Sequence, residues 1–222
     1  MHLDKTRKLI FTLLFFIALI SSVLGIFFTN DWGGWLLNFG TEITGALITY
    51  GLFELVINRQ NNLANRKKDL IGKLGSKIRD VAVPASEEII DHGWHRDGSL
   101  KNHSFAFANW EGIILLQSQL AGVDLTYAIL KNAELEDSSF AGALLQCVDF
   151  EGAWISGCNF HGADLRGANL VGIEGTNTWQ HMFNEKTYLP DGEMWKPNTD
   201  IKRFTDPARV DFWSSGIHDK KP

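Results

Sequence analysis

The sequence predicts a mainly β fold, a four-sided β-solenoid, preceded by a two-helix transmembrane hairpin and a linker helix. Three observations carry this. Large apolar residues return every five positions through the middle of the 222-residue chain. Two apolar stretches stand before that repeat, separated by a few residues. Between them and the repeat lies an amphipathic stretch rich in Lys and Arg.

Residues 1–8 carry Lys5, Arg7 and Lys8, and from Leu9 to Phe28 no charge occurs. A helix rising about 1.5 Å per residue crosses a hydrocarbon core of about 30 Å in roughly twenty residues, so 9–28 is long enough to span a bilayer. A cleaved signal peptide has the same polarity, with Val23-Leu24-Gly25 as a weak cleavage site, but the long apolar run and the second span argue for an anchor. Residues 29–32 form a short external loop without Lys or Arg, and residues 33–57 form the second span. Arg59, Arg66, Lys67, Lys68, Lys73, Lys77 and Arg79 follow it. Basic residues thus flank both outer ends, which places both termini in the cytoplasm: a multi-pass protein of the inner membrane, with the lipid bilayer as its first partner. Trp32 and Trp35 suit an aromatic belt at the far interface.

The second span has a polar side. Asn38, Glu42, Gly45 and Thr49 follow steps of three and four and share one helix face. Such a seam packs against another helix, the first span or a second copy of the chain. A carboxyl about 13 Å deep by helical rise also suits a proton or ion site, although no intramembrane base accompanies it.

Residues 58–92 read as linker helices. Leu63, Leu70, Ile71, Leu74, Ile78, Val81, Ala82, Ala85 and Ile89 recur at helical spacing, with a break or bend near Gly75-Ser76 and at Pro84, and Ser76 as a candidate N-cap. The basic residues either rest on anionic lipid head groups or line a solvated helix. His92 and His95 invite a metal reading, but Gly93 separates them and no further ligand is fixed nearby.

From 103 to 172 the period is five. The large residues Phe105, Trp110, Leu115, Leu120, Leu125, Leu130, Leu135, Phe140, Leu145, Phe150, Ile155, Phe160, Leu165 and Leu170 form the expected core. Small or compact residues stand two positions before most of them, and Gly closes many units. Neither the helical period of about 3.6 nor the strand period of 2 produces this spacing. A square solenoid does: each unit makes one side and one corner, and four units make one coil of twenty residues. Every twentieth large residue then stacks, as in Phe105-Leu125-Leu145-Leu165.

Ala163-Asp164-Leu165-Arg166-Gly167-Ala168-Asn169-Leu170 resembles the core repeat of the pentapeptide-repeat family. That resemblance covers about seventy residues and implies a right-handed quadrilateral β-helix. Gly93-Trp94 with Asp97-Gly98-Ser99-Leu100, and Leu189-Pro190-Asp191-Gly192 with Arg203-Phe204-Thr205-Asp206-Pro207, resemble the lead-in and tail of bacterial membrane-associated members. The repeat departs from the family pattern at Ile114, Ile129, Leu144 and Trp154, where Asp or Asn is usual. Ile114, Glu134 and Trp154 stand twenty apart on one side, so Ile114 and Trp154 mark a contact patch.

These features point to a non-catalytic scaffold or protein-binding module, closed at its far end by a capping tail over 173–222. Its expected partner is another protein or a second copy of the chain. No catalytic pair, phosphate loop, cofactor motif or metal pattern stands out. Cys147 and Cys158 make neither a disulfide framework nor a zinc pattern. Residues 103–172 hold eight acids and two bases, which makes a nucleic-acid partner unexpected. Two alternatives stand beside the scaffold: the acidity fits DNA mimicry toward a topoisomerase, as in some family members, and the intramembrane carboxyl of Glu42 fits an oligomeric transport role.

Overall fold

The computed structural model describes residues 32–175 and 179–217, together with Thr12, Leu13, Phe16, Ile17, Ile20 and Leu24. Those six early positions are helical, and five of them expose large apolar side chains. The rest of the expected span 9–28 and the loop residues 29–31 lie outside the described residues, as do the side chains of Trp32, Trp35 and Asn38. The chain divides into two compact units, 1–65 and 66–222.

The first unit contains most of helix α1 (Trp32–Leu74, 43 residues). No break separates the apolar stretch 33–57 from the basic stretch behind it. Within Phe39–Leu74 an eighteen-residue window has a mean hydropathy of 1.2, and α1 is the one helix among the described residues long and apolar enough to cross a membrane. Leu47, Ile48, Leu52, Leu55 and Val56 are all more than half exposed.

The second unit begins with the last turns of α1. Helix α2 (Arg79–Asp91) follows after a short bend. Ser76 does not serve as its N-cap; its Oγ accepts the Ile78 N–H at 3.1 Å, and Ile78 caps without a side-chain bond. Pro84 does not break the helix either. Its missing N–H removes one bond near the helix start, while Ala82, Ala85, Ser86 and Ile89 bury one face of the helix.

The solenoid is held by parallel bridges between residues twenty apart, which define four sides. Side A carries the ladder Ser104–Asp124–Leu144–Asp164, side B Asn109–Ile129–Asp149–Asn169, side C Ile114–Glu134–Trp154–Glu174, and side D Gln119–Ser139–Asn159. Each side is one bridge residue wide because a corner follows at once. At each corner the chain makes a hydrogen-bonded turn, as where Ala108 N–H donates to the Phe105 carbonyl at 3.0 Å. The third turn residue has positive φ at every corner from Asn102 to Gly172, the signature of a type II turn. Phe107, Gln117, Tyr127 and Cys147 adopt this left-handed conformation at a cost on the order of 1 kcal/mol each. Ladder bonds hold them there, including Tyr127 N–H to the Gln146 carbonyl and Cys147 N–H to the Arg166 carbonyl, both 2.9 Å.

The fourteen large repeat residues fill the axis, none more than 3 % exposed. Phe140 and Phe160 stack at 5.2 Å, and Phe183 of the tail continues the column at 5.6 Å. Both ends of the solenoid are covered. At the N-terminal end Asn109 donates to the Ser76 carbonyl, Gln119 to the His95 carbonyl and the Trp110 indole to the Leu74 carbonyl at 2.7 Å. At the C-terminal end Phe160, Leu165, Gly167 and Gly172 donate to Met182, Tyr188, Pro190 and Thr205. The short helices α3 (Trp179–Met182) and α4 (Lys202–Thr205) belong to this cover. Asn177 and the side chain of Trp179 lie outside the described residues.

Candidate functional site

The solenoid backbone dictates what its sides can do. Inward positions are closed and, apart from the buried Ser118 and Ser138, apolar, so chemistry is confined to the ladder residues and the turn residues beside them. The four sides differ there.

Side A is knitted from rung to rung. Ser104 Oγ donates to Asp124 at 3.2 Å, Thr126 Oγ1 to Gln146 at 3.0 Å, and Gln146 Nε2 to Asp164 at 2.6 Å. Arg166 reaches the same carboxylate through Nε and Nη2, at 2.9 and 2.6 Å, and its guanidinium lies 5.1 Å from the Tyr188 ring centroid. Burial disfavours the charged form of Asp164, but the bonds from Arg166 and Gln146 outweigh it and hold the carboxyl below its usual range. Asp124 is lowered in the same way, burial being outweighed by bonds from Thr126 and Ser104. On side B, Lys131 pairs with Asp149 at 3.2 Å and Glu151 at 2.8 Å. Side D is polar and nearly uncharged, with Gln119, Ser139 and Asn159 on its ladder.

Side C is different. Its ladder alternates Ile114, Glu134, Trp154 and Glu174, and the adjoining turn adds Leu116, Glu136 and Asp137. All seven are exposed, with Ile114 at 49 % and Trp154 at 41 %. None of its four acids joins an ion pair among the described residues, and no base stands on this side. A shallow groove of about 380 Å³ runs between Leu116, Glu134, Glu136, Trp154 and Glu174 over Ala133 and Gly152. Ile114 and Trp154, the patch expected from sequence, are therefore the apolar part of a larger acidic surface. Reading the ladder position alone misses Leu116 and Glu136; the turn position read at intervals of twenty finds both.

Elsewhere the candidates are inert or structural. Cys158 is buried, its Sγ donates to the Leu135 carbonyl at 3.0 Å, and burial pushes its thiol up to about 12. Cys147 occupies a corner, and His161 is exposed beside the His181 carbonyl at 3.1 Å. No group of three or more His, Cys, Asp or Glu is placed to hold a metal among the described residues. In the seam of α1, Glu42 is partly buried, whereas Gly45 and Thr49 are exposed and the Thr49 hydroxyl donates to the Gly45 carbonyl at 2.9 Å. Three residues of the basic stretch pair with acids of the second unit at 3.3 Å or less. Arg66 meets Glu88 and Asp69, Lys67 meets Asp97 at 2.6 Å, and Lys73 meets Asp69 at 2.8 Å.

The model of the family described as pentapeptide repeats matches residues 104–137, 118–153 and 143–173, with eight copies. The solenoid is a pentapeptide-repeat domain. Among solved structures, this chain is similar to a pentapeptide repeat protein (Rfr23) from the cyanobacterium Cyanothece 51142 at 25 % identity and a TM-score of 0.37. That match covers 43 % of this chain and 63 % of the other, so the chain spans less than two thirds of that relative. A pentapeptide repeat protein from the Arabidopsis thaliana thylakoid lumen matches at 23 % identity and a TM-score of 0.24, over 48 % of this chain and 75 % of that one. QnrB1, a plasmid-mediated fluoroquinolone resistance protein, matches at 15 % identity and a TM-score of 0.14, over 41 % and 62 %. No curated protein matches the chain. The pentapeptide repeats, with their axis packed and every side committed to ladder bonds, hold nothing that points to catalysis.

Proposed function

We propose that this protein is a membrane-anchored, non-catalytic scaffold of a bacterial inner membrane. Its right-handed quadrilateral pentapeptide-repeat solenoid stands at the cytoplasmic face and offers side C to a protein partner. The observation that carries this reading is that on side C exposed apolar side chains stand beside carboxylates that join no ion pair among the described residues, whereas side A, which also exposes Leu144, Phe107 and Tyr127, bonds its carboxylates from rung to rung. Ile114, Leu116 and Trp154 stabilise no core there, and exposed apolar groups grouped on one surface mark contact sites. The anchor is supported by the apolar stretches 9–28 and 33–57 and by the basic residues flanking both outer ends.

The test begins with alkaline carbonate extraction of membranes holding the full chain, followed by crosslinking and pull-down after detergent solubilisation. Retention in the membrane and a stoichiometric crosslinked protein, whether a second copy or another chain, are expected. Release by carbonate overturns the anchor, and a chain that crosslinks to nothing overturns the scaffold.

A further inference from the structure

We infer that side C is a docking surface for a short cationic, amphipathic segment of a partner protein, with Arg or Lys on one flank and aliphatic or aromatic residues on the other. This rests on the scaffold reading and specifies the partner's chemistry.

The backbone of side C is closed to a partner. Leu115 and Leu135 donate to the carbonyls of Glu134 and Trp154 at 2.8 and 2.9 Å, while Glu134, Trp154 and Glu174 donate to Ile113, Ala133 and Ala153. No strand can add to such a ladder, so recognition falls to side chains. Those side chains offer two chemistries side by side. Ile114, Leu116 and Trp154 give apolar contacts that gain by leaving water. Glu134, Glu136, Asp137 and Glu174 give four carboxylates that join no ion pair among the described residues, and Arg79, at the corner before Ile114, is held by the Glu111 carbonyl at 2.8 Å and Asp80 at 3.9 Å. The nearest repeat bases are occupied, Lys131 by Asp149 and Glu151, and Arg166 by Asp164.

The sign of this field selects the occupant. It repels nucleic acid, an anionic lipid surface and side C of a second copy, and it attracts a cation. A guanidinium gains twice, from the carboxylates and from the face of Trp154. The size is also set. Four rungs about 4.8 Å apart span roughly 14 Å, the length of about ten helical residues.

The test uses the full chain in neutral detergent micelles and a fluorescein-labelled twelve-residue amphipathic peptide of Arg and Leu, read by anisotropy against protein-free micelles. Two comparison peptides replace Arg by Glu or Leu by Gly. The Arg/Leu peptide is expected to bind and weaken as salt rises. The Glu peptide is expected not to bind, and the Gly peptide to bind at least tenfold more weakly. E134Q/E136Q and Trp154→Ala should each weaken the Arg/Leu peptide tenfold or more, while Glu111→Gln on side B changes it less than twofold. Unchanged thermal melting of E134Q/E136Q separates lost contact from lost fold. Absence of Arg/Leu binding, equal binding of the Glu peptide, or equal loss in Glu111→Gln overturns the inference. If that happens while the chain still crosslinks to a protein in membranes, the docking surface falls alone. If no crosslinked partner exists either, the scaffold reading falls with it.

Discussion

Sides A and C are built on the same ladder and face the same solvent, yet their side chains are spent differently. On side A a carboxylate meets a hydroxyl or amide on a neighbouring rung or a guanidinium on its own, as Asp164 meets Gln146 and Arg166. On side C the carboxylates of Glu134 and Glu174 flank the Trp154 indole and pair with nothing among the described residues. The backbone does not require either arrangement, since its hydrogen bonds are the same on both sides. Outward residues in a solenoid are therefore free to serve stability, as on side A, or contact, as on side C. Variants that separate inward from outward, and A from C, put this difference to the test.

The largest effects are expected inside, and they should be alike on both sides. Leu145→Ala behind side A and Ile155→Ala behind side C each remove a buried aliphatic side chain, and each should destabilise by about 2–5 kcal/mol. Thermal melting of the two variants checks this; a large loss at one and none at the other contradicts a shared core. Corners come next. Gly157 leaves side C with φ of +66°, and a Cβ there would collide with Asp137 Oδ1 of the preceding coil. Gly142, with φ of +67°, has open space. Gly142→Ala should cost about 1 kcal/mol from φ alone and Gly157→Ala more. Adding Asp137→Ala to Gly157→Ala should bring it back to the Gly142→Ala level.

A smaller effect separates A from C directly. Asp164→Asn on side A breaks charge-assisted bonds and should cost about 1–3 kcal/mol, whereas Glu136→Gln on side C should stay within about 0.5 kcal/mol. The pH dependence carries a sign. The folded-state pKa of Asp164 is depressed, so its contribution is present above the unfolded carboxylate value near 3.9 and is lost as pH falls through the lower folded value. Melting curves should show wild type losing part of its margin over Asp164→Asn as the solution is acidified below about pH 4. A margin that grows on acidification contradicts the ladder.

Much of the solenoid is legible in the sequence because one physical rule governs it. A residue that must fill the axis recurs at each unit, and the twenty-residue stacks follow from four units per coil. The contact surface is half legible. Ile114 and Trp154 stand out by replacing polar residues, while Leu116, Glu136 and Glu174 are ordinary residues until the coil places them together. The caps are less legible still. The indole of Trp110 reaches the Leu74 carbonyl across thirty-six residues, and no local pattern encodes that bond. Pro84 reads as a helix breaker, but burial of the face formed by Ala82, Ala85 and Ile89 overrides it.

The most direct test of the central claim is site-specific photo-crosslinking of the full chain in native membranes. A benzophenone amino acid is placed in turn at Ile114 and Trp154 on side C, Ser104 on side A and Ser139 on side D. One protein adduct is expected from both side C positions and none from the other two. Adducts of equal yield from all four sides, or none from side C, would contradict that claim.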